Sequence, residues 1–506
     1  MRKWIMTRLL LKSARRYPSS GTELEDLLIE SGKVVQWVPS GSENPSVDQV
    51  VDLDGRWVLP GFVDSHLHLL YTEQHSRQIS LAEKSLDHCI NDLKDAVCEG
   101  SALVGHGWRD PLPTEMLPTP AAFLNRHFPG KAVLLWNADF HRVLVSPTIL
   151  AQLGKDPGHS GVLVEEEAEA AWNCVKESPA KEVSAACQRL LRHGITAATT
   201  FDRGESIRAF HAKPPGKEGV FIRHGLPEEE FLSMDPDDAI PFGNREDDFA
   251  VRWVKIFADG TLGSRTAWMK SGYTDDPENL GIARRSGDSL LSTAEAAGSK
   301  GWGLAIHAIG DAAVCESIRA IHSARMARTA GLDVFDRIEH LQLLDPGDIS
   351  SLIQSGAVAS LQPCHLFEDR KIIRGRWGKR ADYSIPFRFL LDQGVPVITG
   401  TDAPIEDLDP WADLYAACER VDRNGSGDAE GPAQRVQFSE AFHSKTAGAA
   451  KANYLPEDYG TLNPGSRADF QVLDHDPESV RDGSRSGLVE VFSQGQWRLN
   501  EGRAFQ

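Results

Sequence analysis

The sequence predicts an α/β protein whose central part is a (β/α)8 barrel and whose two ends together form a small β-domain. From Val58 onward, short apolar strands alternate with helical patterns rich in Ala, Glu and Leu, which is typical of βα units around a parallel sheet. Eight such strands are present, the number that closes a barrel of this kind. Both ends of the chain consist instead of short strands and turns.

The strand positions set the predicted domain boundaries. We expect residues 1–57 and 451–506 to form one composite β-domain and residues 58–450 to form the barrel. The first barrel strand lies in the stretch 58–70, and the others lie at 194–202, 219–224, 251–257, 303–307, 336–340, 357–362 and 395–402. Residues 71–190 are too long for one βα unit and predict an insertion that caps or walls the site. A last helix is predicted over 439–450.

Composition excludes several classes of function. Lys and Arg total 54 against 73 Asp and Glu, a formal net charge of −19, which argues against nucleic acid as the main partner. Seven scattered cysteines without a C-x-x-C pair indicate neither a disulfide framework nor a structural zinc cluster, so a reducing cytoplasm is the expected location. No apolar run approaches the ~20 residues that span a bilayer, so no membrane is expected as a partner.

Two histidines end the first predicted barrel strand. His66 and His68 are two positions apart, so their side chains point to the same face of a strand. Neutral imidazoles aimed together suit zinc, iron, nickel or copper. Taken alone, the pair is better explained as two hydrogen-bonded histidines near a turn. Four further strands with a candidate ligand strengthen the metal hypothesis.

The four further candidates are Lys255 in the fourth strand, His307 and His340 at the ends of the fifth and sixth, and Asp402 after the eighth. A buried lysine is costly, since burial disfavours the ammonium form. Lys255 is therefore either paired with a carboxylate such as Asp259 or neutral, and a neutral lysine can capture carbon dioxide as a carbamate. Asp402 is either a turn-stabilising residue or a metal ligand and general base. The active site of a barrel lies at these strand ends.

Five segments of the chain resemble the amidohydrolase superfamily, in particular its amidohydrolase 3 branch of YtcJ-like hydrolases and N-substituted formamide deformylases. They are Leu59 to His68, Val254 to Ala267, Ile306 to Asp311, Ile338 to His340 and Gly400 to Pro404, and Gly460 to Phe470 resembles the family's return into a β-sandwich. The resemblance implies a distorted (β/α)8 barrel and a β-sandwich built from both termini.

The same resemblance implies a binuclear centre of two divalent metal ions, with zinc as the first expectation. His66 and His68 would hold one ion and His307 and His340 the other, carboxylated Lys255 would bridge them, and Asp402 would bind the first ion and act as base. The implied reaction is hydrolysis of a non-peptide C–N bond, an amide or formamide of a small molecule, by a metal-activated hydroxide.

Four positions fall on recurring motifs of the branch: Trp108, His141, Arg265 and Asp311. Each is a candidate substrate-binding residue, and for each a packing or loop-stabilising role explains the pattern as well.

Three alternatives stay open at this point. A mononuclear deaminase-like enzyme would leave Lys255 structural, and an ester or lactone hydrolase would use the same centre. A non-catalytic assembly protein is disfavoured because no expected ligand is missing. The substrate, the metal and the oligomeric state are not determined, although a homodimer is a common outcome for such enzymes.

Overall fold

Strands and helices follow the alternation of apolar segments along the chain. The computed structural model describes residues 8–18, 21, 23–43, 45–81, 84–96, 102–108, 112–117, 119–137, 142–164, 166–175, 179–235, 240–329, 334–481 and 487–500. Two compact units are distinguished, one of Met1–Leu69 with Val183–Gln506 and one of Leu70–Glu182. Each is described by itself.

The strands of the described residues are, in chain order, β1 (Arg8–Arg16), β2 (Glu25–Glu30), β3 (Lys33–Pro39), β4 (Gln49–Asp52), β5 (Trp57–Pro60), β6 (Phe62–Leu67), β7 (Ile79–Ser80), β8 (Leu103–Trp108), β9 (Val133–Asn137), β10 (Arg142–Val145), β11 (Val162–Val164), β12 (Ile195–Thr200), β13 (Phe221–Pro227), β14 (Phe249–Phe257), β15 (Gly303–Ala308), β16 (Arg337–His340), β17 (Val358–Leu361), β18 (Val397–Thr399), β19 (Phe470–Leu473), β20 (Leu488–Ser493) and β21 (Gln496–Asn500).

The α-helices are α1 (Leu69–Ser76), α2 (Leu86–Asp95), α3 (Pro120–His127), α4 (Pro147–Gln152), α5 (Glu166–Val175), α6 (Pro179–Arg192), α7 (Ser206–Ala212), α8 (Glu228–Ser233), α9 (Gly287–Ser299), α10 (Asp311–Ala327), α11 (Ile349–Ser355), α12 (Leu366–Trp377), α13 (Phe387–Asp392), α14 (Pro410–Glu419), α15 (Phe438–Ser444) and α16 (Ala447–Ala452). Among the described residues, no helix combines the length and the apolar character needed to cross a bilayer.

Eight parallel strands form the barrel, neighbouring one another in the order β6 and then β12 to β18. Strands such as β6, β12 and β15 are buried along their whole length, because a parallel sheet in this fold has both faces covered. The predicted fold class is confirmed, and each predicted barrel strand overlaps an observed one.

The ring of strands closes just beyond the end of β18. The Asp402 backbone N–H donates to the His66 carbonyl at 2.7 Å, and the His68 N–H donates to the Ala403 carbonyl at 2.8 Å. The buried Asp64 carboxylate accepts hydrogen bonds from the Thr401 N–H at 3.1 Å and from its hydroxyl at 2.8 Å. We call this junction the closure seam.

Both ends of the chain contribute to one mixed sheet, in the order β21, β20, β19, β5, β1, β2, β3, with β4 beside β1. Its apolar side chains, including Leu11, Leu27, Phe470 and Val472, form a core of their own. The N- and C-terminal strands thus share one sheet, as the strand character of both ends predicts.

The unit of residues 70–182 has its own five-stranded sheet, in the order β11, β10, β9, β8, β7. Its strands β9 and β10 are antiparallel neighbours, in which Leu135 of β9 pairs with Leu144 of β10. Two apolar clusters lie within this unit, one around Phe123 and one around Trp136.

The prediction of one helix over 439–450 is wrong, because α15 ends at Ser444 and α16 begins at Ala447. Thr446 between them has the non-helical dihedral angles φ −129° and ψ −106°. The Lys445 carbonyl accepts a hydrogen bond from Val63 of β6 at 2.7 Å, and the Lys445 ammonium lies 2.7 Å from the Asp413 carboxylate. These contacts with the barrel override the local helical pattern.

Gly400 permits the close approach of strands at the closure seam, since a Cβ there would lie 2.3 Å from the His66 backbone nitrogen. We predict that Gly400→Ala lowers the free energy of unfolding by roughly 3 kcal/mol or more, because the overlap is with backbone and cannot be relieved by a side-chain rotation. Urea unfolding followed by circular dichroism measures the change.

The matched control is Gly375→Ala, a position in α12 with open space around its Cβ. Alanine is favoured over glycine in a helix, so this variant should be as stable as the wild type or slightly more so. Equal stability of the two variants would contradict the role assigned to Gly400.

Candidate functional site

A cavity of about 500 Å³ lies at the carboxyl ends of the barrel strands. All six residues that the sequence predicts as ligands line it: His66, His68, Lys255, His307, His340 and Asp402. They lie in or directly after five different strands, and His66 and His68 share one of them. The parallel topology therefore gathers residues that are up to 336 positions apart, counted from His66 to Asp402.

The closure seam brings three of these side chains together. His66 Nε2 lies 3.3 Å from Asp402 Oδ1, and His68 Nε2 lies 3.6 Å from the same oxygen. The other ring nitrogen of His68 lies 3.2 Å from the Phe201 carbonyl, which leaves Nε2 facing Asp402. Donor atoms of these three residues lie within 4.8 Å of one another, a spacing compatible with a shared metal ion.

A buried carboxylate orients His66. Glu339 Oε2 lies 2.6 Å from His66 Nδ1, and Glu339 is also bound by the Arg337 guanidinium. Although burial alone would raise the pKa of Glu339, the charge of Arg337 and the contact with His66 hold it well below its usual range. An ionised Glu339 accepts a hydrogen bond from the His66 Nδ1–H, so Nε2 is the ring nitrogen that would bind a metal ion.

The sequence prediction missed Glu339, although the segment Ile338 to His340 contains it. In a regular strand Glu339 and His340 face opposite sides. A φ of +70° at His340 breaks this alternation, and the rings of His340 and His66 lie 4.9 Å apart. Such strain in a residue other than glycine is characteristic of functional sites.

His307 and His340 form a second pair, with ring centroids 4.5 Å apart. His307 Nε2 lies 2.9 Å from the Gly260 carbonyl, so its Nδ1 is the nitrogen with a free lone pair. Burial, followed by the charge of Lys255, lowers the pKa of His307 to about 3, and burial lowers that of His340 as well. Both imidazoles are thus neutral, the form that binds metals.

Lys255 is buried, with 4% of its surface exposed, and its Nζ has no hydrogen-bond partner among the described residues. The nitrogen lies over the rings of Phe201 and Phe257, at 4.5 and 4.9 Å from their centroids. Burial lowers the pKa of Lys255 to about 8, although the carboxylates of Glu339 and Asp402 act in the opposite direction. Asp259, a pairing partner considered from the sequence, instead accepts backbone hydrogen bonds from Trp268, Ile309 and Gly310.

His365, which follows β17, is a site residue that the sequence prediction missed. Its Nε2 lies 3.4 Å from Asp402 Oδ2, and its donor atoms group with those of His340 and Asp402. The segment Gln362 to His365 carries one histidine after an apolar strand, the same signal that marks His307 and His340. Applying that criterion to the seventh strand would have identified it.

These residues fit a divalent metal centre. Imidazole nitrogens and carboxylate oxygens are the usual ligands of zinc and related ions. In His66, His68 and His307 one ring nitrogen contacts a protein oxygen other than that of Asp402, so the second ring nitrogen is the one that would bind a metal ion. The buried Lys255 Nζ and His340 Nδ1 have no hydrogen-bond partner among the described residues, and such orphaned polar atoms require compensation.

Two of the four substrate-binding candidates, Arg265 and Asp311, belong to the same compact unit as the cavity. Arg265 is 39% exposed and pairs with Asp275 at 2.6 Å, and Asp311 accepts a backbone hydrogen bond from Lys270 at the start of α10. Neither lines the cavity. Trp108 lies in the 70–182 unit, where its Nε1 donates to the Leu135 carbonyl. His141 lies outside the described residues.

The sequence pattern described as "Amidohydrolase family", of the amidohydrolase 3 type, matches residues 49–497. The chain belongs to the amidohydrolase family. This confirms the resemblance seen in the sequence, and the match includes every residue predicted as a ligand.

Relatives of this amidohydrolase match along most of their length. It is 29% identical over 461 residues to Protein LONG AFTER FAR-RED 3 of Arabidopsis thaliana, covering 84% of this chain and 79% of that one. It is 28% identical over 490 residues to the putative amidohydrolase YtcJ of Bacillus subtilis, covering 88% and 89%. An uncharacterised metal-dependent hydrolase from Pyrococcus horikoshii superposes with a TM-score of 0.77 at 26% identity, covering 95% of this chain and all of that one.

Glu339 gives a testable prediction about the metal centre of this amidohydrolase. We expect Glu339→Gln to weaken zinc affinity about 10–100-fold, because an amide orients His66 and raises its basicity less than a carboxylate does. Competition with a chromophoric chelator measures the affinity.

The control for this variant is Ser360→Ala. Ser360 accepts a hydrogen bond from Arg337 at 2.9 Å but does not touch His66. Both substitutions disturb the surroundings of Arg337, so both should reduce stability. Only Glu339→Gln should reduce zinc affinity, and a wild-type affinity in that variant would contradict the orienting role.

Proposed function

We propose that this amidohydrolase is a metal-dependent enzyme that cleaves a non-peptide C–N bond, an amide or formamide, of a small molecule. The observation that carries the proposal is the convergence of four histidines, a buried lysine and an aspartate on one cavity. If the histidines had only a structural role, there would be no reason to bury a lysine beside them. The Nζ of Lys255 has no hydrogen-bond partner among the described residues.

In the proposed centre, His66 and His68 hold one divalent ion and His307 and His340 hold the other. Lys255, carboxylated by carbon dioxide, would supply oxygen ligands to both ions, and Asp402 would be a ligand of the first ion. Zinc is the ion we propose, since imidazole and carboxylate ligands suit it. Bound divalent ions polarise a substrate carbonyl and lower the pKa of water, which makes hydrolysis accessible at neutral pH.

Asp402 is the proposed proton carrier. Although burial alone would raise the pKa of Asp402, its interactions with His66 and His365 hold it well below its usual range, so the carboxylate is ionised. An ionised Asp402 accepts a proton from the attacking water and delivers it to the departing nitrogen. His365, 3.4 Å from Asp402 Oδ2, fixes the orientation of the carboxylate during this transfer.

A mononuclear, deaminase-like site is the second candidate. It is favoured by the grouping of His66, His68 and Asp402, whose donor atoms lie close together without Lys255. Ester and lactone hydrolysis use the same groups, so a substrate panel for this enzyme must include them.

We propose a cytoplasmic location, which the absence of disulfide bonds among the described cysteines supports. Cys89, Cys174, Cys187, Cys315, Cys364 and Cys418 are all free thiols. A small-molecule amide remains the proposed partner, and a homodimer is the proposed assembly.

The role of Asp402 is testable by substitution. We expect Asp402→Asn to lower kcat by about 10²–10⁴-fold, since an amide cannot accept the proton. Hydrolysis of N-formyl, N-acyl and cyclic amides by zinc-loaded protein measures the loss, and elemental analysis of the same sample reports bound metal. A variant that keeps its metal and full activity would rule out Asp402 as the base.

The number of metal ions tests the bridging lysine. Wild-type protein prepared with zinc and bicarbonate should contain two ions per chain, and Lys255→Ala should contain one or none, because the bridge is lost. Lys270→Ala is the control, since Lys270 is a surface lysine paired with Asp345 and Asp348 and should not affect metal content. One tightly held ion with most of the activity in Lys255→Ala would favour the mononuclear site.

A further inference from the structure

We propose that the substrate of this amidohydrolase carries a positively charged amino or guanidino group, which Glu406 and Asp369 bind in the wall of the cavity. This inference rests on the proposed function, because it names the class of amide that the same cavity accepts. It adds the recognition of charge, which none of the metal ligands provides.

Glu406 is the main determinant. It lies four residues after Asp402 and lines the same cavity, with 14% of its side chain exposed. Its positively charged neighbours are His365 and Arg423, and the Arg423 guanidinium nitrogen lies 3.8 Å from Glu406 Oε2, beyond hydrogen-bond distance. A largely buried carboxylate that Arg423 does not reach is stabilised when a ligand brings a cation to it.

Asp369 is the second determinant. It lies in the first turn of α12, where acidic residues generally stabilise a helix. That role does not require the side chain to line the cavity, yet Asp369 does so and is held there by a hydrogen bond from Gln342. Glu368 beside it is 71% exposed and pairs with Lys371 at 2.7 Å, so we assign it no part in recognition.

The cavity is a binding site independently of these two charges, because its lining includes the predicted ligands and the unpartnered Lys255 Nζ. Among the described residues that line it, Lys255 is the only lysine or arginine. Arg376 is not among the lining residues, and it donates to the carbonyls of Leu262 and Gly263. His365 does line the cavity, and its Nε2 lies 3.4 Å from Asp402 Oδ2, so the described lining offers an anionic substrate no unpaired cation away from the ligands.

The lining also includes apolar side chains. Phe257, Leu262, Ile309 and Ile405 line the same cavity, and Ile405 is 66% exposed. Such side chains pack against methylene groups. The substrate class is thus a small amide whose amide group and cationic group are joined by a short apolar linker.

Three N-formyl amines of similar length test the inference: those of 1,4-diaminobutane, butylamine and 4-aminobutyrate, which carry a positive, no and a negative charge. For the zinc-loaded wild type we expect kcat/KM for the cationic amide to exceed that for the neutral one by at least about tenfold. The anionic amide should be the poorest substrate. Equal values, or a preference for the neutral or anionic amide, would overturn the inference while leaving the amide hydrolase intact.

Glu406→Gln removes the charge with little change of shape and should reduce the cationic-to-neutral ratio by about tenfold. The matched control is Asp407→Asn, which removes one charge from the neighbouring residue, 78% exposed and outside the cavity lining. It should keep the wild-type ratio. The chain has a net charge of −19, so cations also bind its surface non-specifically. Because Glu406→Gln and Asp407→Asn have the same net charge, this surface binding is the same in both and does not affect their comparison.

A binding measurement separates failure of the inference from failure of the proposed function. If no amide is hydrolysed, the proposed function fails, and thermal shifts with 1,4-diaminobutane, butylamine and 4-aminobutyrate as probes still test recognition. A bound ligand raises the melting temperature. The diamine should stabilise the wild type and Asp407→Asn more than Glu406→Gln, and equal shifts in all three would overturn the inference.

Discussion

The closure of the barrel between its first and last strands is the constraint on which the site depends. Two backbone hydrogen bonds, from Asp402 to the His66 carbonyl and from His68 to the Ala403 carbonyl, join the two strand ends. The residues that make these bonds also carry the side chains that converge. The positions of the donor atoms are therefore fixed by the fold itself, which is what a preorganised site requires. The absence of a Cβ at Gly400 is what allows this approach.

Buried charges concentrate in this part of the barrel. Arg337, fully buried, donates to the Ser65 carbonyl, Ser360 and Asn453 as well as to Glu339, so its charge and each of its neighbours are satisfied. The desolvation penalty of a buried ion pair exceeds its electrostatic attraction unless its hydrogen bonds are complete. Apolar side chains of similar volume would therefore stabilise the fold at least as well as this network. The network is better explained by the orientation of His66, which needs an ionised Glu339.

Much of this arrangement could be predicted from the sequence, because a parallel barrel turns the position at a strand end into spatial proximity. His66, His307, His340 and Asp402 each follow or end an apolar strand, so topology alone places them at one end of the barrel. Glu339 was not predicted as a site residue, because strand alternation assigns it to the face opposite His340. The positive φ of His340 cannot be predicted from residue types. The break between α15 and α16 was not predicted, because it depends on a contact between Lys445 and β6, which is nearly 400 residues earlier in the chain.

In the proposed site, the metal ligands and the residues that recognise charge lie on different parts of the fold. The predicted ligands lie on strand ends and on the closure seam, whereas Glu406 and Asp369 lie on the loop after β18 and at the start of α12. Loops after barrel strands accept substitutions that the strands do not. A change of substrate can therefore arise from residues such as Glu406 while the ligand set is preserved. For this reason family membership determines the chemistry of such a chain more securely than its substrate, and substrate assignment must rest on the charge and shape of the cavity wall.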